Sequence, residues 1–215
     1  MSEGFWIIYW NASEVLVHRY FETRGEAKPA VTYEEITDYF QQQYRGPDTE
    51  DPEQWTGYIS NEPLLVDKAY FQTLARSGIP SAFFSGATRG SANFVLQRRI
   101  ELKDPILIAM EDGPGKPDPT GLDVVVKKVE TQQSLSKSLP VLYAGDTAAD
   151  MKTVVAAKET FPERQWLAIG ILPPHAQKDK AYKASYAEKL KAAGAIAVLD
   201  NVQHITAEFV SKQLS

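Results

Sequence analysis

The feature that most constrains the fold is a short apolar run, residues 141–144, that is followed by a glycine and two carboxylates. Gly145 ends the run, and Asp146 and Asp150 then stand four residues apart, where a helix is expected to begin. In parallel α/β sheets, ligands bind beyond the carboxyl ends of the strands. The pattern therefore predicts a buried strand, a turn and a helix, with two carboxylates at a ligand-binding edge.

Two interpretations of these carboxylates fit the segment. Neighbouring carboxylates with no basic residue beside them repel each other unless a cation lies between them, and hard oxygen ligands of this kind suit Mg²⁺. On this interpretation, Asp146 and Asp150 lie within reach of one ion. In the alternative, Asp146 caps the helix and Asp150 belongs to its first turn.

Composition narrows the class of protein. The chain has 215 residues, 43% of them hydrophobic, which predicts one sizeable packed core, alone or with a small appendage. The formal net charge of −5 and the absence of a dense Lys/Arg stripe argue against a nucleic-acid partner. No cysteine is present, which excludes disulfides and thiolate zinc sites. The three histidines, His18, His175 and His204, lack metal-ligand spacing and are interpreted as surface or packing residues.

The start of the chain carries no targeting signal that we recognise. Residues 1–4 lack the basic flank of a secretory signal, and the apolar run at residues 5–10 is too short to span a bilayer. We therefore expect a soluble cytoplasmic protein with no membrane partner.

Residues 1–62 are predicted to form a small helical segment that resembles a cap. Residues 5–10 favour a strand, or else lead a helix that ends near Gly25. Thr32 and Glu35 have the spacing of a capping box for a second helix. An acidic loop with Pro and Gly, residues 46–57, is a candidate hinge. We expect residues 11–60 to lie over the ligand-binding edge.

Helices and strands alternate in residues 63–215. The predicted strands are residues 79–84, 105–110, 141–144, 166–171 and 195–199. The predicted helices include one that Asp67 caps and that buries Tyr70, Phe71, Leu74 and Ala75, one at residues 89–99, one that buries Leu122, Val125, Val126 and Val129, and one at residues 180–193. Five strands with helical crossovers predict an α/β fold with a doubly wound parallel sheet.

Three of the predicted strand ends carry polar residues of different kinds. Ser85 and Gly86 offer a hydroxyl and free backbone N–H groups at a helix start, which suits phosphate. Lys116 offers a point charge in a Gly/Pro turn, and Asp146 and Asp150 offer a metal site. Taken together, these groups fit a site for phosphoryl transfer.

Residues 83–86, 115–119 and 145–150 resemble the second, third and fourth motifs of phosphatases of the haloacid dehalogenase (HAD) superfamily. Residues 111–119 and 170–174 are similar to a cyanobacterial subgroup of these proteins. The resemblance covers residues 64–200, and the helical segment before them resembles the small cap domain that the family inserts after its first motif.

This resemblance implies a Rossmann-like core and a Mg²⁺-dependent phosphomonoesterase that acts on a small phosphorylated metabolite. It assigns Ser85, Gly86 and Lys116 to phosphate binding, Asp146 and Asp150 to Mg²⁺, and catalytic roles to Ser85, Lys116 and Asp146.

The chain departs from the family at its first motif. That motif is an apolar strand ending in Asp-x-Asp, whose first Asp is the nucleophile and whose second is the general acid/base, and no Asp-x-Asp precedes Ser85. In one alignment, residues 5–10 are the strand and residues 11–13 occupy the Asp-x-Asp position. In the other, residues 6–13 belong to the cap and the first strand is missing, as in a truncated product. Neither alignment supplies a nucleophile, because an asparagine cannot attack phosphorus as a carboxylate does.

Three functions compete on this basis. The first is a phosphatase by descent that is impaired in this chain. The second is a catalytically silent HAD-like protein that binds a phosphorylated ligand or a protein partner. The third, a phosphoacceptor module like a response regulator, ranks last because it also needs an Asp at a central strand end and has no use for a cap. We expect little or no phosphomonoester turnover, and the sequence leaves the oligomeric state open.

Overall fold

The structure is a computed structural model that describes residues 7–47, 50–136 and 139–214, and for residues 7–12 it describes the backbone alone. The chain divides into two compact units, with the boundary between Pro63 and Leu64.

The first unit is helical in its described residues. Its elements are α1 (Ile7–Glu22), α2 (Tyr33–Arg45), a 3-10 turn (Pro52–Gln54) and α3 (Tyr58–Asn61). The capping box of α2 is confirmed: the backbone N–H of Glu35 donates to Thr32 Oγ1 at 3.2 Å, and that of Thr32 donates to Glu35 Oε2 at 2.8 Å.

Helix α1 contradicts one of the two alternatives for the start of the chain. A strand is wrong for residues 7–10, and so is the alignment that places a strand-end motif at residues 11–13, because both stretches are helical. No glycine or proline interrupts the chain between Ile7 and Glu22, so the helix continues through them. Residues 5 and 6 lie outside the described residues.

The second unit alternates helices and strands. Its helices are α4 (Lys68–Arg76), α5 (Arg89–Asn93), which continues as a π-helical turn (Phe94–Arg99), α6 (Thr120–Gln133), α7 (Ala148–Thr160), α8 (Lys180–Ala192) and α9 (Ala207–Leu214). Its strands are β1 (Phe83–Phe84), β2 (Leu107–Ile108), β3 (Val141–Gly145), β4 (Trp166–Ile171) and β5 (Ala197–Leu199). Strand β4 has the predicted bounds, whereas β1, β2 and β5 are shorter than predicted.

All the strand pairs of the described residues are parallel, and they form two sheets. Strand β1 pairs with β2, and the other three strands lie in the order β3-β4-β5. The α/β class with parallel strands is therefore confirmed. The strands do not join into the single predicted sheet, because β1 and β3 have no backbone pairing with each other.

One apolar cluster packs against strands of both sheets. Phe84 of β1 and Ile108 of β2 belong to the same cluster as Trp166 of β4. Helix α6 contributes its predicted face, since Leu122, Val125, Val126 and Val129 are all buried. Val141 and Tyr143 of β3 pack against the same cluster, so β1 and β3 share one apolar core.

Helix α4 is less buried than its sequence predicts. Asp67 caps it as predicted, accepting from the backbone N–H of Tyr70 at 2.9 Å. Leu74 is buried, but Ala75 is exposed, because it directly follows Leu74 and turns away from the narrow packed face. Among the described residues, no helix combines the length and apolar character needed to cross a bilayer.

Candidate functional site

The site is centred on the turn from β3 into α7. Thr147 is the N-cap residue of α7 and Asp150 is its partner in a capping box. The N–H of Asp150 donates to Thr147 Oγ1 at 3.2 Å, and the N–H of Thr147 donates to Asp150 Oδ2 at 3.0 Å. The interpretation of Asp146 as the helix cap is therefore wrong. The spacing from Thr147 to Asp150 is itself a capping-box pattern, which could have been found in the sequence.

Gly145 allows the Asp150 side chain to fold back against the end of β3. A Cβ atom at residue 145 would lie 2.4 Å from both Cβ and Cγ of Asp150 and 2.7 Å from its Oδ2. These distances are far below the usual 3.5–4.0 Å or so between non-bonded carbons. The glycine of the motif thus has a steric role in placing the carboxylate.

Lys116 supplies the basic partner that the 145–150 segment lacks. The turn between β2 and α6 carries it to Asp150, where Lys116 Nζ donates to Asp150 Oδ1 at 2.7 Å. The side chain of Lys116 is 18% exposed and that of Asp150 is 6% exposed. The ammonium also lies 5.2 Å from the ring centroid of Phe84 and 5.5 Å from that of Tyr143. Its charge is thus held by one carboxylate and two aromatic faces.

The hydroxyl of Tyr143 lies between the two sheets. It is 3.1 Å from Asp150 Oδ1 and 3.2 Å from the backbone carbonyl oxygen of Phe84, so both are hydrogen-bond acceptors within its reach. Burial raises the pKa of Tyr143 well above its ordinary value, and the charge of Asp150 raises it further. The hydroxyl therefore keeps its proton and acts as a donor.

The two carboxylates have opposite electrostatic environments. Burial by itself would raise the pKa of Asp150, but the charge of Lys116 and hydrogen bonds from Lys116 and Thr147 hold it below its ordinary value. The pKa of Asp146 is raised, because its carboxyl group is partly removed from water and faces the charge of Asp150. Asp150 is thus the ionised partner of Lys116, and Asp146 is the carboxyl group that protonates more readily.

Asp146 as a whole residue is exposed, although its carboxyl group is partly shielded from water, and it borders a group of aromatic side chains. Its backbone carbonyl accepts a hydrogen bond of 3.0 Å from the hydroxyl of Tyr186. The rings of His175 and Tyr182 each lie 6.0 Å from that of Tyr186. His175, which follows β4, also opposes the rise in the pKa of Asp146 through its charge. The hydrogen bond from Tyr186 to the Asp146 carbonyl connects α8 to the end of β3.

The turn after β1 differs in part from its prediction. The N–H of Ala87 donates to Ser85 Oγ at 3.1 Å, and the N–H of Arg89 donates to the Glu111 carboxylate at 3.0 and 3.1 Å. The sequence predicted free backbone N–H groups at Ser85 and Gly86, but the N–H of Ser85 donates to the Ile108 carbonyl at 2.9 Å and is not free. Gly86 is exposed, with open space where a Cβ would stand. Arg89 also pairs with Asp112.

The structure brings some of the predicted site residues into direct contact and others only near one another. Lys116 and Asp150 are in direct contact, and Ser85 directly follows Phe84, which contacts both Lys116 and Tyr143. The sequence analysis did not identify Tyr143. A usable signal was present, because a tyrosine in an otherwise apolar buried strand needs a partner for its hydroxyl.

Comparison with models of known protein families gives no match, and a search of curated proteins likewise gives none. In the described part of the chain, no group of three or more His, Cys, Asp or Glu side chains is arranged to hold a metal ion. The HAD resemblance stays a prediction from the three motifs.

Proposed function

We propose that this chain is an HAD-like protein of phosphatase descent, which binds a small phosphorylated metabolite beside Lys116 and hydrolyses phosphomonoesters slowly or not at all. The main support for the proposal is that the partly exposed Lys116 ammonium uses one of its donors on Asp150 and keeps others for a ligand.

A lysine ammonium has three N–H donors. Within the described residues, Asp150 is the hydrogen-bonding partner of Lys116, which leaves donors for a ligand. The side chain is partly exposed at the carboxyl end of two parallel strands, and lysine is a common point-charge ligand of phosphate. Ser85 and Gly86, at the adjacent strand end, are the further candidates for phosphate contacts.

The donor set does not fit the Mg²⁺ ion that the resemblance implies. Both oxygens of Asp150 already accept hydrogen bonds, and the Lys116 ammonium occupies the position of a counter-ion. Mg²⁺ binding by Asp146 and Asp150 would require Lys116 and Tyr143 to move, and it stays a prediction.

Slow turnover is expected because the candidate phosphate contacts Ser85, Gly86 and Lys116 are present, whereas the Asp-x-Asp motif that supplies the nucleophile of HAD phosphatases does not occur before Ser85. Residues 11–13, the proposed substitute for the first motif, are part of helix α1. The remaining groups could assist only direct attack by water, and loss of a member of a catalytic unit typically costs orders of magnitude in rate.

We further propose that the two sheets are the halves of one doubly wound arrangement. The shared apolar cluster and the reach of Tyr143 from β3 to the Phe84 carbonyl of β1 support this. A cap function for residues 1–62 stays a prediction.

The proposal is tested by titrating the purified chain with inorganic phosphate and by assaying sugar and aromatic phosphomonoesters with millimolar Mg²⁺. Phosphate should bind to the wild type and not to Lys116→Gln. Lys127→Gln is the matched control, since Lys127 also pairs with a carboxylate, at 2.6 Å from Asp123, and lies 5.8 Å from an aromatic ring centroid, but outside this site.

Two results would contradict the proposal. If the wild type does not bind phosphate, the proposed phosphate-binding site beside Lys116 is wrong. Robust hydrolysis that disappears in Asp146→Ala shows that a nucleophile is present and removes the expectation of slow turnover.

A further inference from the structure

We propose that Tyr143 is the positioning residue of this site. Its hydroxyl is shared between the Phe84 carbonyl and Asp150, and it donates fully to Asp150 when a phosphate dianion draws Lys116 away from Asp150. This inference rests on the proposed function and adds to it a link between ligand binding and the contact between the two sheets.

The Tyr143 hydroxyl has more acceptors within reach than protons to donate. A tyrosine hydroxyl has one proton to donate. Two acceptors lie at nearly equal distances from it, Asp150 Oδ1 at 3.1 Å and the Phe84 carbonyl oxygen at 3.2 Å. The hydroxyl can therefore donate fully to one of them at a time.

Lys116 and Tyr143 both reach Asp150 Oδ1. Lys116 Nζ donates to this oxygen at 2.7 Å. A carboxylate oxygen can accept two hydrogen bonds, so Lys116 does not block Tyr143, but its positive charge weakens the attraction of Asp150 for the Tyr143 proton and leaves the Phe84 carbonyl as a competing acceptor. The other oxygen of Asp150 is held by the backbone N–H of Thr147 at 3.0 Å and by its hydroxyl at 2.7 Å. Thr147 thus donates both of its hydrogen bonds to Oδ2 and none to Oδ1.

An anion beside Lys116 changes this balance. A dianion competes for the ammonium, and the Asp150 side chain, only 6% exposed, would then lose its main partner at Oδ1. An unpaired buried carboxylate is costly, so another donor is required. Tyr143 is within reach, and because it remains protonated it can donate. Phosphate binding is thereby linked to release of the β1 carbonyl that directly precedes Ser85.

The test compares Tyr143→Phe with the wild type in binding of inorganic phosphate. The substitution keeps the ring that packs near Phe84 and Lys116 and removes only the hydroxyl. We expect the affinity to fall about tenfold or more, as for loss of one hydrogen bond to a charged group.

Tyr70→Phe is the matched control. The Tyr70 hydroxyl also lies near two backbone carbonyls, those of Val202 at 3.0 Å and Ile205 at 3.1 Å, but these belong to another part of the unit. The affinity of this variant for phosphate should equal that of the wild type.

A spectroscopic readout separates positioning from general structural support. In protein labelled with ¹³C at the tyrosine ζ carbon, the signal missing from Tyr143→Phe identifies Tyr143. This signal should shift on addition of phosphate to the wild type, whereas the Tyr70 signal should not. If Tyr143→Phe does not fold, the Tyr143 signal is assigned by its contacts to Phe84, and its response to phosphate in the wild type decides the matter.

The outcomes are distinct. Equal phosphate affinity of a folded Tyr143→Phe, or a Tyr143 signal that phosphate leaves unchanged while binding occurs, overturns the role of Tyr143 and leaves the proposed function standing. A wild type that does not bind phosphate overturns both.

Discussion

Replacing Gly145 with alanine is the most direct test of how the site is built. The new methyl group would lie 2.4 Å from both Cβ and Cγ of Asp150, so one of the two must move by about 1 Å or more to reach ordinary contact distance. Asp150 cannot move freely, because Lys116, Tyr143 and Thr147 all hold its carboxylate.

The expected loss of stability follows from three contributions. Overpacking costs about 1–3 kcal/mol, and weakening the cap of α7 costs about 1 kcal/mol. The lower entropy of the unfolded alanine chain offsets about 0.4–1 kcal/mol of this. The net destabilisation is about 1–3.6 kcal/mol, which for a domain of this size lowers Tm by about 2–14 °C.

The assay is urea and thermal unfolding, with Gly113→Ala as the control. Gly113 has extended backbone and no atom within 4 Å of an added Cβ, so its replacement should change stability by less than about 0.5 kcal/mol. If Gly145→Ala unfolds at the same midpoint as the wild type, Asp150 does not lie against the end of β3. The ion pair with Lys116 and the argument built on it would then be refuted.

Two further predictions concern the charged groups of the second unit. Glu130→Ala should lower stability by about 3–5 kcal/mol in urea unfolding, because it removes the carboxylate that pairs at 2.5 Å with Arg164, and both side chains are nearly buried. Glu188→Ala is the control, since Glu188 forms an exposed pair with Lys191 and its loss should have almost no effect. Equal effects of the two substitutions would contradict this prediction. Asp146→Asn should raise Tm at pH 7, because folding raises the pKa of the Asp146 carboxyl group, and such a group lowers the stability of the folded state once it is ionised. The gain in Tm should vanish below the ordinary aspartate pKa of about 3.9. A gain that persists at about pH 3 would contradict this cause.

Local patterns in the sequence were sufficient wherever an element depends mainly on its own residues. The buried face of α6 and the bounds of β4 are as predicted, since β4 is apolar throughout and has a strand on either side. Strands β1 and β2 are shorter than their apolar runs, because a strand extends only as far as its neighbour pairs with it, and these two strands pair only with each other among the described residues. The length of such a strand is a property of the pair.

The pairing of Lys116 with Asp150 could not be predicted from either segment. The two residues are 34 positions apart, and residues 145–151 contain two carboxylates and no basic residue. The sequence suggested a Mg²⁺ ion between Asp146 and Asp150, which stays a prediction. The structure places the Lys116 ammonium beside Asp150, because folding brings the turn before α6 to the start of α7.

This arrangement makes a prediction about the pH dependence of anion binding. Lys116 is balanced by Asp150, so an anion beside it also meets the charge of Asp146 whenever that carboxyl is ionised. Protonation of Asp146, whose pKa is raised, removes this repulsion, so anion affinity should increase as the pH falls from neutrality. Sulfate is the suitable probe, because its charge stays constant over this range, unlike that of phosphate. His175 also lies near Asp146, so the comparison is made in a His175→Gln background. There, sulfate affinity should rise on acidification with Asp146 present and remain flat in Asp146→Asn, and the same rise in both proteins would show that another group controls the charge of the site.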